Sequence, residues 1–237
     1  MKKHIPNLLT SLSLLSGCIA VVMAFNGAYF WVVIWVIIAA LFDFSDGFAA
    51  RMLKAYSPMG KELDSLSDMV SFGVAPSVIL YTFLKDHLYI ITNNEILQEY
   101  LPFAAFLLAI FSALRLAKFN VDTRQSESFI GLNTPANALF WVSFCYGLVH
   151  NVPVITPTLI YLILIAIVVF SSLMVSEVPM FSLKIKSLKF RGNEYRYFLA
   201  AFMLGMVIWI GIFGIAAGIL LYVALSIINN RTQPEKE

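Results

Sequence analysis

The sequence predicts an all-α integral membrane protein: a bundle of about eight transmembrane helices with a polar active site at its cytoplasmic side. Three observations carry that prediction. Of 237 residues, 60% are hydrophobic and 13% charged, against about a quarter charged in soluble domains, and the mean hydropathy is +0.83. The apolar residues gather into runs long enough to cross a bilayer as helices. The basic residues gather between alternate runs.

In chain order the spans are expected near residues 6–25, 28–52, 63–84, 99–119, 134–150, 157–175, 195–210 and 212–229. Lys2 and Lys3 precede the first run as they would in a signal peptide, but no small-residue cleavage site follows, so it is read as a span. Its opening, Ile5-Pro6-Asn7-Leu8-Leu9-Thr10, predicts a helix start capped by Asn7 or Thr10. In the second span Tyr29, Trp31 and Trp35 are expected to face lipid or the interface rather than to stack on bases, and no nucleic-acid partner is expected. The last two spans are short and turn around Gly211 and Gly214, which leaves a seven-span alternative. No internal repeat is visible; residues 1–229 are expected to form one membrane domain and 230–237 a polar cytoplasmic tail.

With the N-terminus inside, all but Lys85 of the 16 lysines and arginines fall on the cytoplasmic side. That asymmetry places both termini in the cytoplasm of a multi-pass protein of the cell membrane. Cys18 and Cys145 lie within spans, which argues for packing rather than a disulfide framework. His4, His87 and His150 stand at no ligand spacing.

The chemistry concentrates where the second span meets the third. The stretch reads Asp43-x2-Asp46-Gly47-x2-Ala50-Arg51-x8-Gly60-x3-Asp64-x3-Asp68. Asp43, Asp46, Gly47, Ala50 and Arg51 recur at i, i+3, i+4, i+7 and i+8, one face of a helix. Gly60, Asp64 and Asp68 recur at i, i+4 and i+8 on the next, so the two faces can close on each other across a loop of about ten residues. Four carboxylates meeting in an apolar setting repel unless a cation neutralises them, and an all-oxygen donor set without cysteine or histidine suits Mg²⁺ or Mn²⁺. Gly47 and Ala50 leave room for a nucleotide or phosphate, and Arg51 offers it a fixed charge. The alternative is a solvated interfacial loop with Arg51, Lys54 and Lys61 as surface partners; the regular spacing argues against it.

This run matches the CDP-alcohol phosphotransferase signature D-x2-D-G-x2-A-R-x8-G-x3-D-x3-D at every fixed position, and the chain resembles that family. The resemblance implies that Asp43, Asp46 and Asp64 are metal ligands and that Asp68 is both ligand and general base. It also implies that Gly47, Ala50, Arg51 and Gly60 line a CDP pocket, with Asn7 and Thr10 as further cytidine contacts.

The blocks Arg115-Leu116-Ala117-Lys118-Phe119-Asn120 and Gly131-Leu132-Asn133-Thr134-Pro135-Ala136 resemble the phosphatidylserine synthase branch of that superfamily. So do Ser71–Pro76 and Ser176–Lys184, and the similarity runs from the Pro-Asn entrance to about Lys184. It implies CDP-diacylglycerol and L-serine as substrates, and the family commonly forms homodimers. Arg115, Lys118, Asn133, Thr134 and Lys184 are then candidates for binding the serine or a substrate phosphate. Two residues depart from the branch: Lys118 stands where Arg is usual, losing bidentate geometry, and Asn133 where Pro is usual, altering a turn.

Two other readings remain. Glycerol 3-phosphate or an inositol phosphate as acceptor would want a denser basic pocket. A cation transporter would spread its acids through several spans near the midplane, whereas these acids cluster at one end of two consecutive segments.

Overall fold

The computed structural model describes residues 4–121, 129–180 and 193–232. The first helix, α1 (His4–Phe25), lines Pro6, Thr10, Ser13, Ser16, Gly17, Ala20 and Ala24 along its buried face. These small side chains let neighbouring backbones approach closely, the usual basis of helix association in lipid. Helix α2 (Tyr29–Leu53) packs along α1, and the Ser13 hydroxyl donates to the Ala39 carbonyl at 3.0 Å. Asn7 and Thr10 lie inside α1 rather than capping it, because the helix already begins at His4.

The expected ten-residue loop after α2 is only Lys54–Ser57. Lys54 adopts the left-handed conformation (φ 50°), and Ala55 N–H returns to the Ala50 carbonyl at 3.0 Å, so the chain reverses at once. Helix α3 (Pro58–Asp68) then starts earlier than expected. Ser57 Oγ accepts from Gly60 N–H at 3.0 Å, and Pro58 takes the first turn, where its missing N–H costs nothing.

From α3 the helix continues through a π segment (Met69–Val74) into α4 (Ala75–His87) and a 3₁₀ turn at Leu88–Ile90. Pro76 cannot donate to the preceding turn; that turn widens, and Ala75 N–H bonds the Val70 carbonyl. The hydroxyls of Ser67 and Ser71 donate to the carbonyls of Thr10 (3.2 Å) and Ser13 (3.1 Å), fixing this long helix against α1. A Cβ on Gly17 would lie 2.7 Å from the Ser71 Cα, so only glycine permits that approach.

The chain returns through α5 (Glu95–Tyr100), a 3₁₀ stretch (Leu101–Phe106) and α6 (Leu107–Val121). Helices α7 (Thr134–Asn151), α8 (Pro157–Val175), α9 (Glu194–Ile210) and α10 (Phe213–Thr232) complete the bundle. Two-residue strands β1 (Phe129–Ile130) and β2 (Pro179–Met180) pair antiparallel, the one departure from an all-helical chain among the described residues. Beside them Gly131 (φ +75°) donates to the Val178 carbonyl at 2.8 Å, and a Cβ there would lie 2.5 Å from the Met174 oxygen. This junction pins the chain entering α7 to the end of α8.

Among the described residues, five helical segments are long and apolar enough to cross a membrane: His4–Phe25, Tyr29–Leu53, Pro58–Ile90, Glu95–Val121 and Pro157–Val175. Phe213–Ile228 is a shorter apolar helix. Helix α7 carries Thr134, Asn137, Ser143 and Asn151 and is buried among other helices, so it needs no apolar surface all round. Helices α9 and α10 are separate, divided at Gly211 (φ +64°). Trp31 faces outward as expected, but Tyr29 is buried. Cys145 is buried, Cys18 is exposed, and both are free thiols.

Candidate active site

The C-terminal end of α2, the whole of α3, the start of α1, the end of α6 and the start of α7 meet at one end of the bundle. There the carboxylate oxygens of Asp43, Asp64 and Asp68 lie within 4.8 Å of one another. Asp43 comes from α2; Asp64 and Asp68, one turn apart, come from α3. The Oδ1 atom of Asp68 is buried with no hydrogen-bond partner. Three converging acids, one with a lone acceptor, fit a hard divalent cation and would otherwise repel.

Asp46 stands apart from this group. It is buried, and the Thr10 hydroxyl donates to its Oδ2, with the Pro6 carbonyl 3.0 Å away as the alternative acceptor. Asp46 therefore faces α1 and a cavity of about 550 Å³, whose walls include Asn7, Thr10, Gly47, Ala50, Tyr56, Gly60 and Asp64. That volume suits a small-molecule ligand. A Cβ on Gly47 would meet only an Arg51 nitrogen, at 3.7 Å, so the room it leaves belongs to the cavity and not to protein packing. Gly60 differs: a Cβ there would press on Ser57 Oγ (3.0 Å) and Asn7 Oδ1 (3.1 Å).

A second cavity, of about 370 Å³, holds the acid triad, with Arg51, Ser65, Arg115, Asn120, Asn133 and Thr134 on its walls. Arg51 thus lines this cavity and not the one beside Gly47. At 100° per residue the stripe from Asp43 to Arg51 is about 140° wide, enough to face both. Arg115 is 6% exposed, its Nε has no partner, and its guanidinium lies 5.8 Å from the Phe119 ring centroid. The Thr134 hydroxyl is also buried without a partner. Asn133 caps α7, its Oδ1 accepting from Ala136 N–H at 2.8 Å; the side chain replaces the turn-forming role of the expected proline.

Of the other candidates, Lys118 turns away from both cavities to pair with Glu177 and reach the Val175 carbonyl at 3.3 Å, joining α6 to the end of α8. Lys184 lies outside the described residues. Lys61, Ser65 and Asn120 were not singled out from the sequence as site residues. Their signal was present: Lys61 follows Gly60 and precedes Asp64 by one turn, and Ser65 follows Asp64 directly.

The sequence description of a known family matches residues 3–229, the acidic signature included. The chain belongs to the CDP-alcohol phosphatidyltransferase family. Among curated CDP-alcohol phosphatidyltransferase relatives, CDP-diacylglycerol–serine O-phosphatidyltransferase of Methanocaldococcus jannaschii is 35% identical over 142 residues, 60% of each chain. The enzyme of that name from Bacillus subtilis is 34% identical over 150 residues, 61% of this chain and 77% of its own. Archaetidylserine synthase of Methanothermobacter thermautotrophicus is 35% identical over 142 residues, 59% of this chain and 57% of its own. The match thus spans about three fifths of the first of these relatives.

Proposed function

We propose that this chain is a CDP-diacylglycerol–serine O-phosphatidyltransferase of the cell membrane, working as a homodimer with both termini and the active site facing the cytoplasm. The observation that carries the reading is the meeting of two cavities at one acid cluster, one beside Gly47 and Ala50 and the other beside Arg115 and Thr134. The names of the relatives support serine as the acceptor. The basic side chains Arg51, Lys54, Lys61, Arg115 and Lys118 crowd the site end of the bundle, which supports the cytoplasmic orientation.

The nucleotide of CDP-diacylglycerol occupies the larger cavity, held by Asp46, Gly47, Ala50 and Gly60 with Asn7 and Thr10 on its wall. Phe44, Phe48 and Met52, exposed on the neighbouring face of α2, leave the acyl chains against lipid. Serine occupies the smaller cavity, its carboxylate toward Arg115. Asp43, Asp64 and Asp68 would hold Mg²⁺ or Mn²⁺, while Asp46, bonded to Thr10, stands outside that cluster. A divalent ion there supplies charge for the pyrophosphate and for the departing CMP. Asp68 takes the serine hydroxyl proton as the oxygen bonds to the lipid-bearing phosphorus and the bond from that phosphorus to CMP breaks. The products are phosphatidylserine and CMP.

The test incubates purified, detergent-solubilised protein with CDP-diacylglycerol, Mn²⁺ or Mg²⁺, and each of serine, glycerol 3-phosphate, inositol and inositol phosphate, and follows CMP and the lipid product. Release with serine and a divalent ion alone is expected. Release only with another acceptor would overturn the serine assignment, and folded protein inactive with all of them would overturn the transferase reading.

Gly47→Ala separates folding from nucleotide binding. Alanine in a helix is favoured over glycine by about 1 kcal/mol, and no protein atom crowds the new methyl, so thermal stability of the free protein should hold or rise. Affinity for CDP, measured by calorimetry, should fall about tenfold or more as the methyl enters the cavity. An unchanged affinity would move the nucleotide elsewhere.

A further inference from the structure

The two cavities share two wall residues, Lys61 and Asp64. On the proposed reading, on which this inference rests, the transferred phosphate starts attached to the nucleotide in one cavity and ends attached to the acceptor in the other. A side chain that holds it throughout must reach both. Asp64 is an acid within the triad and repels a phosphate; Lys61 is a cation.

Lys61 is also held in place. Its Nζ donates to the Asn120 carbonyl at 2.9 Å; Asn120 Nδ2 donates to Ser65 Oγ at 2.8 Å; and Ser65 Oγ donates to the Lys61 carbonyl at 3.2 Å. This ring ties α3 to the end of α6 and stations the ammonium over the junction. One of its three donors is used, and no carboxylate among the described residues forms an ion pair with it. The ammonium is a compact point charge whose two remaining donors can meet a phosphate from either cavity.

We propose that Lys61 contacts the phosphate group being transferred, at the junction of the donor and acceptor cavities. CDP carries that second phosphate and CMP lacks it, so binding of the two nucleotides to the full chain in detergent with Mn²⁺ isolates the contact from turnover. Lys61→Gln keeps a donor for the Asn120 carbonyl and removes the charge. It should weaken CDP binding about tenfold or more while CMP binding changes less than about threefold. Lys61→Arg, which keeps the charge, should hold CDP within about threefold of wild type and serves if the glutamine variant fails to fold. Equal losses for both nucleotides, or none for CDP, would reduce Lys61 to a tether between helices, as would arginine failing to preserve the preference for CDP. A wild-type chain that binds neither nucleotide would overturn the donor site itself, and this inference with it.

Discussion

Asp68→Asn is expected to lower serine transfer by a factor of about 10² to 10⁴, the range for losing a positioned general base. Asparagine has the shape of aspartate, so the cavity and α3 should be preserved. Asp68 is also a candidate ligand, and the two roles separate on a metal titration. Asp43→Asn removes a ligand alone; its activity should recover substantially at high Mn²⁺. Asp68→Asn should stay low at any metal concentration, because no added ion restores an acceptor for the hydroxyl proton. Recovery of Asp68→Asn to near wild-type turnover would remove Asp68 from the base role. Stability gives an independent readout. Neutralising one triad member relieves crowding of half-buried acids that no cation compensates, so it should raise the thermal stability of metal-free protein. In metal-saturated protein the sign should reverse, since a ligand has been lost.

The eight spacing-defined residues of the acidic motif were legible because ionisable and small residues on apolar helices have few structural reasons to recur so regularly. Periodicity could place them on a face but could not divide that face. The width of the α2 stripe let Asp46 turn to Thr10 while Asp43 turned to α3, a choice made by α1 lying between them. The start of α3 was legible in Ser57-Pro58, a capping serine before a first-turn proline, yet the apolar window that defines a span passed over it because the first turns of α3 are polar. The π segment had a cue only in Pro76; that the helix would widen rather than end there depends on Ser71 and Gly73 packing against Gly17 and Ser112. Lys118 was indistinguishable from Arg115 by charge. Three residues of helix set the two only about 60° apart; their separation follows from Glu177, just beyond α8, arriving to pair with Lys118.

Arg115→Met is expected to raise the KM for serine about a hundredfold while leaving CDP affinity within about threefold. The guanidinium is 6% exposed, its Nε is unpartnered, and it forms no ion pair among the described residues. Burying a charge on such terms is costly, and the acid triad can compensate it only while no cation occupies that triad. With metal bound, an anionic group in the smaller cavity becomes the natural counter-charge, and the buried Thr134 hydroxyl beside it has an unfilled hydrogen bond for the same ligand. Methionine keeps most of the apolar stem of arginine and removes the charge. In metal-saturated protein without serine, its thermal stability should therefore equal or exceed wild type, because an uncompensated buried charge has gone. Serine should stabilise the wild type against heat and the variant much less. Arg115→Lys should fall between, keeping the charge but losing the fork that matches a carboxylate. A methionine variant that is less stable but binds serine normally would make Arg115 a packing and charge-balancing residue and return the acceptor carboxylate to another wall of the cavity.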